Sequence, residues 1–150
     1  GRQSLAEVRT VVGLPRTGDG VPPPLPGVSD LKDLVEQLRA AGADATLTLD
    51  GALDALPATT GITVYRIVQE ALTNATKHAP GTSVAVRARV AHDSVHVDID
   101  SAGAPGRGSG MGLENMRERA AAVGGTCVAG PGGSGWLVTA TLPLERGGAR

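Results

Sequence analysis

The sequence predicts an α+β fold, a two-layer α/β sandwich with helices on one face of a mixed, mostly antiparallel sheet. Three observations predict it. From Thr60 to Ala79 the apolar residues Ile62, Val64, Ile67, Val68, Ala71, Leu72 and Ala75 recur at helical spacing. Two alternating segments, SVAVRARVA (83–91) and SVHVDID (94–100), are joined only by His92 and Asp93, the pattern of an antiparallel hairpin. The last two strands, about 126–130 and 136–142, follow each other directly. Helices mixed with consecutive strands suit one helical layer on one sheet.

Each element has its local reason. Leu5, Val8, Val11 and Val12 are spaced as on a helix, and the stretch reads as the tail of a longer one. Residues 15–28 hold five prolines and three glycines, which deny both helix and strand ladder. Residues 1–15 are therefore expected to be a helix remnant, 16–29 a linker, 30–146 the folded domain and 147–150 a tail. Ser29 and Asp30 can cap a helix with Leu31, Leu34, Val35 and Leu38 on one face, ended by Gly42. DATLTLD (44–50) alternates as a strand. Pro57 opens the second helical region, and Pro80-Gly81 stops it. Residues 101–110, with four glycines and no large apolar group, read as a loop. A helix from Leu113 to Val123 ends at Gly124-Gly125.

Composition excludes several classes of function. Fourteen basic and fifteen acidic side chains leave a charge of -1, without the basic footprint of a nucleic-acid binder. Tyr65 and Trp136 are the sole aromatic residues, so Leu, Val, Ile and Ala must build the core. A single cysteine, Cys127, rules out an internal disulfide and reads as a small core residue. His92 falls in a turn and His96 on the outward parity of a strand, which does not make a metal site. Arg117-Glu118-Arg119 reads as a salt-bridged helix face. No run reaches the roughly 20 apolar residues of a membrane-spanning helix, and no signal peptide is visible. The expectation is a cytoplasmic domain that is not itself inserted in a membrane.

The chemistry gathers on YRIVQEALTNATKHA. Relative to Glu70, Asn74 lies about 40° around the helix, Lys77 about 20° the other way and His78 about 80° away. An acid, an amide, an amine and an imidazole share one face. The plain reading is a solvated stripe with a Glu70–Asn74 hydrogen bond. The functional reading is a magnesium nucleotide site. Asn74 offers a hard oxygen without adding charge, and Lys77 and His78 offer donors to phosphate. Glu70 can hold a water or polarise the attacking group. The second feature is Gly103, Gly106, Gly108, Gly110 and Gly112, with Gly110-Met111-Gly112 leading into the helix LENMRERAAAVGG. Glycine admits close approach of a ligand, and a helix N-terminus favours an anion.

Together, VYRIVQEALTNATKHA, GSGMGLENMRERAAAVGG and GWLVTATLP resemble, in order and spacing, the ATP-binding catalytic domain of two-component sensor histidine kinases. That family lies in the GHKL (Bergerat) ATPase superfamily. The resemblance covers roughly residues 30–143, and it is to the subclass paired with helix-turn-helix response regulators. It implies the cofactors ATP and Mg2+, with Asn74 as metal ligand, Glu70 as the catalytic acidic residue, and Lys77 and His78 facing phosphate. Gly110, Met111, Gly112 and Leu113 would line the phosphate edge. Residues 102–109, including Gly103 and the phosphate contact Arg107, would form a short lid. RQSLAEVRTVVGLPR resembles the end of a dimerisation helix, which implies a domain excised from a membrane-bound sensor kinase. Its partners would be the histidine-bearing dimerisation domain of the same parent and, through the full-length protein, a response regulator.

One departure stands out. The family usually has Asp-x-Gly where this chain has Ser101-Ala102-Gly103, and that Asp binds the adenine amine. Parity aligns Ser101 with Val97 and Ile99 and turns Asp100 outward, unless a bulge re-aims it. A neutral hydroxyl is a weaker acceptor than a carboxylate. This keeps a second function open, a degenerate regulatory module with weak or no nucleotide binding. A serine-directed anti-sigma kinase shares the fold, but the dimerisation-helix remnant argues against it.

Overall fold

The computed structural model describes residues 25–78, 82–102, 111–132 and 135–144, without the side chains of His78 and Met111. The expected helix remnant 1–15, the linker as far as residue 24 and the tail 147–150 lie outside the described residues, as do Gly103, Arg107 and Gly110.

A 3-10 turn, Val28–Asp30, leads into α1 (Leu31–Ala40), followed by β1 (Asp44–Asp50) and a second 3-10 turn, Leu53–Ala55. Helix α2 (Ala58–His78) precedes the hairpin β2 (Ser83–Ala91) and β3 (Ser94–Ser101). Helix α3 (Met111–Ala122), β4 (Thr126–Gly132) and β5 (Gly135–Pro143) complete the order. The five strands form one sheet in the order β1-β2-β3-β5-β4. Among the described residues only β1 and β2 pair in parallel, with α2 as the crossover between them; the other pairings are antiparallel. The expected two-layer sandwich is therefore the observed one.

Alternation decides the faces. Along β3, Val95, Val97, Ile99 and Ser101 are buried while Ser94, His96, Asp98 and Asp100 are half-buried. The inward rows of β2 (Val84, Val86, Ala88) and β5 (Val138, Ala140, Leu142) complete the sheet side of the core. Val64, Ile67, Val68, Ala71 and Leu72 from α2, with Met116 and Ala120 from α3, close it from the helical side. The aliphatic core that the composition required is what forms. The hydroxyls of Thr63, Thr73 and Thr76 donate to the carbonyls of Thr59, Gln69 and Leu72, so these three threonines enter the long helix with their hydroxyls paired.

Helix ends show where local rules held and where they did not. Gly42 (φ 104) and Gly124 (φ 84) terminate α1 and α3 in the left-handed region, as the sequence implied. Asp30 does not cap α1 with its side chain. Its carboxylate instead accepts from the Gly27 N–H at 2.8 Å and braces the preceding 3-10 turn. Helix α3 begins at Met111, two residues before the expected Leu113. Strand β3 runs through Ser101, one residue further than expected, because that residue pairs with both Val84 and Trp136.

Candidate functional site

The polar stripe of α2 lies beside α3. Glu70 and Asn74 are half-buried and Lys77 is exposed. The Glu70–Asn74 hydrogen bond of a plain solvated stripe does not form among the described residues, and none of the three side chains has a partner there. Three polar groups stand free on a helix whose other face is packed into the core.

What meets Asn74 is glycine. A Cβ built on Gly112 would sit 2.9 Å from Asn74 Oδ1 and 3.0 Å from Cγ, and would overlap Nδ2. Real side chains do not approach so closely. Glycine at 112 lets the first turn of α3 settle against the Asn74 amide. That turn carries unpaired N–H groups and the positive end of the helix dipole. Met111 and Gly112 are thus helical, and Leu113, half-buried, packs against the core one residue on.

The same end of the sandwich collects the rest. The Ala102 N–H donates to the Ser83 carbonyl at 2.9 Å, so the end of β3 is tied to the start of β2, five residues beyond His78. Ser101 faces inward at that end, paired in unbroken register with Val84, and Asp100 pairs with Ala85 on the opposite face. No bulge re-aims Asp100 within this register. The end of α2, the end of β3 and the first turn of α3 therefore share one rim. His78 ends α2 at this rim.

The donor set suits magnesium. Among the described residues no cluster of three His, Cys, Asp or Glu could cage a metal. Magnesium seldom needs such a cage; it keeps waters and takes one or two protein oxygens beside substrate phosphates. The free carboxamide oxygen of Asn74, one turn from the Glu70 carboxylate, meets that requirement.

Other candidates fall away. Cys127 is 4% exposed, and burial pushes its thiol up from the ordinary 9.0, partly offset by the Arg117 charge. It is a core residue and a poor nucleophile. His96 lies on the open face of the sheet within 3.1 Å of the Ser94 hydroxyl and 3.5 Å of that of Thr141. It is half-buried and not fully solvated as its parity suggested. Arg117 pairs with Glu114 at 3.9 Å on an exposed helix face, a structural contact.

Residues 59–146 match the model of the histidine kinase-, DNA gyrase B- and HSP90-like ATPases. The chain belongs to this family. It is an ATP-binding domain of that family. The sensor histidine kinase LnrJ of Bacillus subtilis is 34% identical over 127 residues, which cover 83% of this chain and 31% of LnrJ. A second kinase of that organism, YxjM, is 31% identical over 150 residues, 95% of this chain and 36% of YxjM. The chain thus spans about a third of the length of these relatives. Among solved structures, the kinase domain of a blue-light activated histidine kinase from Erythrobacter litoralis superposes with a TM-score of 0.64 at 20% identity, over 79% of this chain and 61% of that one. The ATP-binding domain of PrrB from Mycobacterium tuberculosis gives 0.56 at 23% identity, over 77% and 95%. At these identities the structures attest the fold, and the family match carries the ATPase assignment.

The sequence reading did not single out Trp136, which pairs with Ser101 across β3 and β5. Inward parity of the last strand was the available signal. The pairing was not, because β5 lies between β3 and β4 rather than beside β4 alone.

Proposed function

We propose that this chain binds Mg-ATP at the rim formed by α2, α3 and β3, and presents the γ-phosphate to a histidine on the dimerisation domain of its parent kinase. The supporting observation is the free Asn74 carboxamide seated at the Gly112 turn. Asn74 supplies a neutral oxygen to the metal. The first-turn N–H groups of α3, with Gly110, Met111, Gly112 and Leu113, receive phosphate oxygens. Lys77 and His78 neutralise charge from α2, and Arg107 and Gly103 contribute from the segment between β3 and α3. Asn74 would hold magnesium, which would supply neutralisation of the charge on the phosphates. Glu70 orients or polarises the incoming imidazole. Catalysis of this kind is positioning and charge neutralisation. The acceptor lies on a separate domain, so this chain alone binds nucleotide and turns it over slowly.

In the full-length protein the partners are the dimerisation domain and a response regulator. Among the described residues no helix is long and apolar enough to cross a membrane, in keeping with a cytoplasmic domain of a membrane-bound parent. Calorimetry with Mg-ATP tests the site. Asn74→Ala should abolish magnesium-dependent binding, and unchanged affinity would refute the assignment. The neutral Ser101, where the family carries a carboxylate, favours one rival, a regulatory module with little nucleotide binding. Thermal shift separates them: ligand at 100 times its Kd adds about 2.7 kcal/mol of stability. A flat response at millimolar nucleotide supports the module.

A further inference from the structure

The helical layer stops short of one edge of the sheet. Strand β1 pairs with β2 alone, so among the described residues its other side is open. Its inward row is Ala45, Leu47 and Leu49, and burial fades along it. Ala45 is buried, Leu47 is half-buried and Leu49 is 44% exposed. Between this row and α1 runs a groove of about 370 Å³, lined by Lys32, Val35, Glu36, Arg39, Leu47 and Leu49. Val35 and the two leucines make its floor apolar. Lys32, Glu36 and Arg39 stand exposed along the α1 side and, among the described residues, have no ion pair. That side carries a surplus of one positive charge, whereas β1 ends on the exposed Asp50. An uncovered apolar trough between a basic and an acidic margin suits the apolar face of a helix.

The chain carries a segment of that kind just ahead of the described residues. In 2–14, Leu5, Val8 and Val12 fall at i, i+3 and i+7, the anchor spacing of a helix laid in a groove, with Val11 beside them. Charge borders this stripe on both sides. Around a helix, Arg2 and Arg9 lie about 40–60° beyond Leu5, and Glu7 lies about 40° beyond Val11 on the opposite flank. One orientation therefore turns Glu7 toward Lys32 and Arg39 and turns both arginines toward Asp50. The connection is long enough. The ten residues from Pro15 to Pro24 can span about 31 Å, against a length of about 15 Å for α1. We infer that residues 2–14 dock as an amphipathic helix in the groove between α1 and β1 of their own chain. The groove is clear of the nucleotide rim, because Leu49 pairs with Ala88, five residues along β2 from Ser83. The docking thus stands or falls independently of the nucleotide site.

Amide hydrogen exchange on the full 150-residue chain tests it. An isolated helix of this length is marginal in water, so slow exchange in this segment requires a docking partner. The amides of residues 8–12 should exchange at least about tenfold more slowly than in a synthetic peptide of residues 1–14. Leu49→Asp should abolish that protection while leaving Mg-ATP affinity within about twofold of the parent. Val128 is 59% exposed on β4, the opposite edge strand, and Val128→Asp should leave the protection intact. Glu7→Arg and Arg39→Glu should each weaken the protection, and the two together should restore it. Should Leu49→Asp unfold the chain, Glu7→Arg carries the test, because it changes no residue of the α1–β1 core. Peptide-like exchange in the parent chain, or protection that survives Leu49→Asp, would overturn the docking. Protection that fades on dilution as a dimer dissociates would overturn it too, since the segment would then be pairing with a second copy.

Discussion

The carboxamide of Asn74 lies against Gly112, so two residues 38 positions apart define one contact that leaves no room for a Cβ at 112 while the amide keeps its place. The obstructing atoms are the tip of a flexible side chain and not backbone, so Gly112→Ala should be survivable for the fold. Alanine is even the better helix former, by up to about 1 kcal/mol. The cost falls on the site, because the amide must swing away. Gly112→Ala should leave thermal stability within about 1 kcal/mol of the parent while lowering Mg-ATP affinity at least about tenfold. Calorimetry beside a melting curve checks this, and retained affinity would contradict the role given to Asn74.

Glu70 and Asn74 are adjacent but should fail differently. Glu70→Gln keeps the shape and removes the charge. Nucleotide affinity should change by less than about threefold. The rate of phosphoryl transfer to an added dimerisation domain should fall by about 100-fold or more. Equal losses in binding and rate would move Glu70 from polarising the acceptor to holding the nucleotide.

Two glycines of the last hairpin offer a matched pair. At Gly135 a Cβ meets backbone carbonyls of β3, whereas at Gly130 it meets nothing within 4 Å. Gly135→Ala should destabilise by about 1–3 kcal/mol, since backbone must shift. Gly130→Ala should be neutral or slightly stabilising, because alanine in a strand loses less chain entropy on folding. Urea denaturation of both variants decides; similar midpoints would mean that β5 does not close on β3 as described.

Cys127 predicts a pH signature. Burial raises the folded thiol above its ordinary value of 9.0, with the Arg117 charge a smaller opposing influence. The unfolded chain therefore releases this proton first. Its contribution to stability is intact below about pH 9 and declines as pH rises toward the folded value. Cys127→Ala should remove that part of the alkaline decline. A thiol reagent at pH 8 should label native protein far more slowly than urea-unfolded protein. Fast labelling of native protein would show the strand to be more open than described.

Much of the fold was legible because it is local. Alternation in 83–91 and 94–100 named both strands and their inward residues, and Pro57, Gly42 and Gly124 marked helix ends through their own backbone limits. Along α2, helical spacing put Glu70, Asn74 and Lys77 on one stripe. The errors were also local rules, overridden. Asp30 spends its carboxylate on Gly27, and Gly112 enters the helix it was expected to precede. Local preferences are weak against a packing partner that supplies contacts from elsewhere in the chain.

Periodicity and residue chemistry by themselves determined the class of fold, the inward faces of the strands and the polar stripe of α2, because each depends on neighbours within a few residues. Tertiary structure alone decided that Asn74 meets Gly112, that Ser101 stands beside Trp136, and that β5 lies between β3 and β4. Such contacts join positions tens of residues apart. They are selected by the burial of the whole sheet face and by which backbones can approach, quantities that no short window of sequence contains.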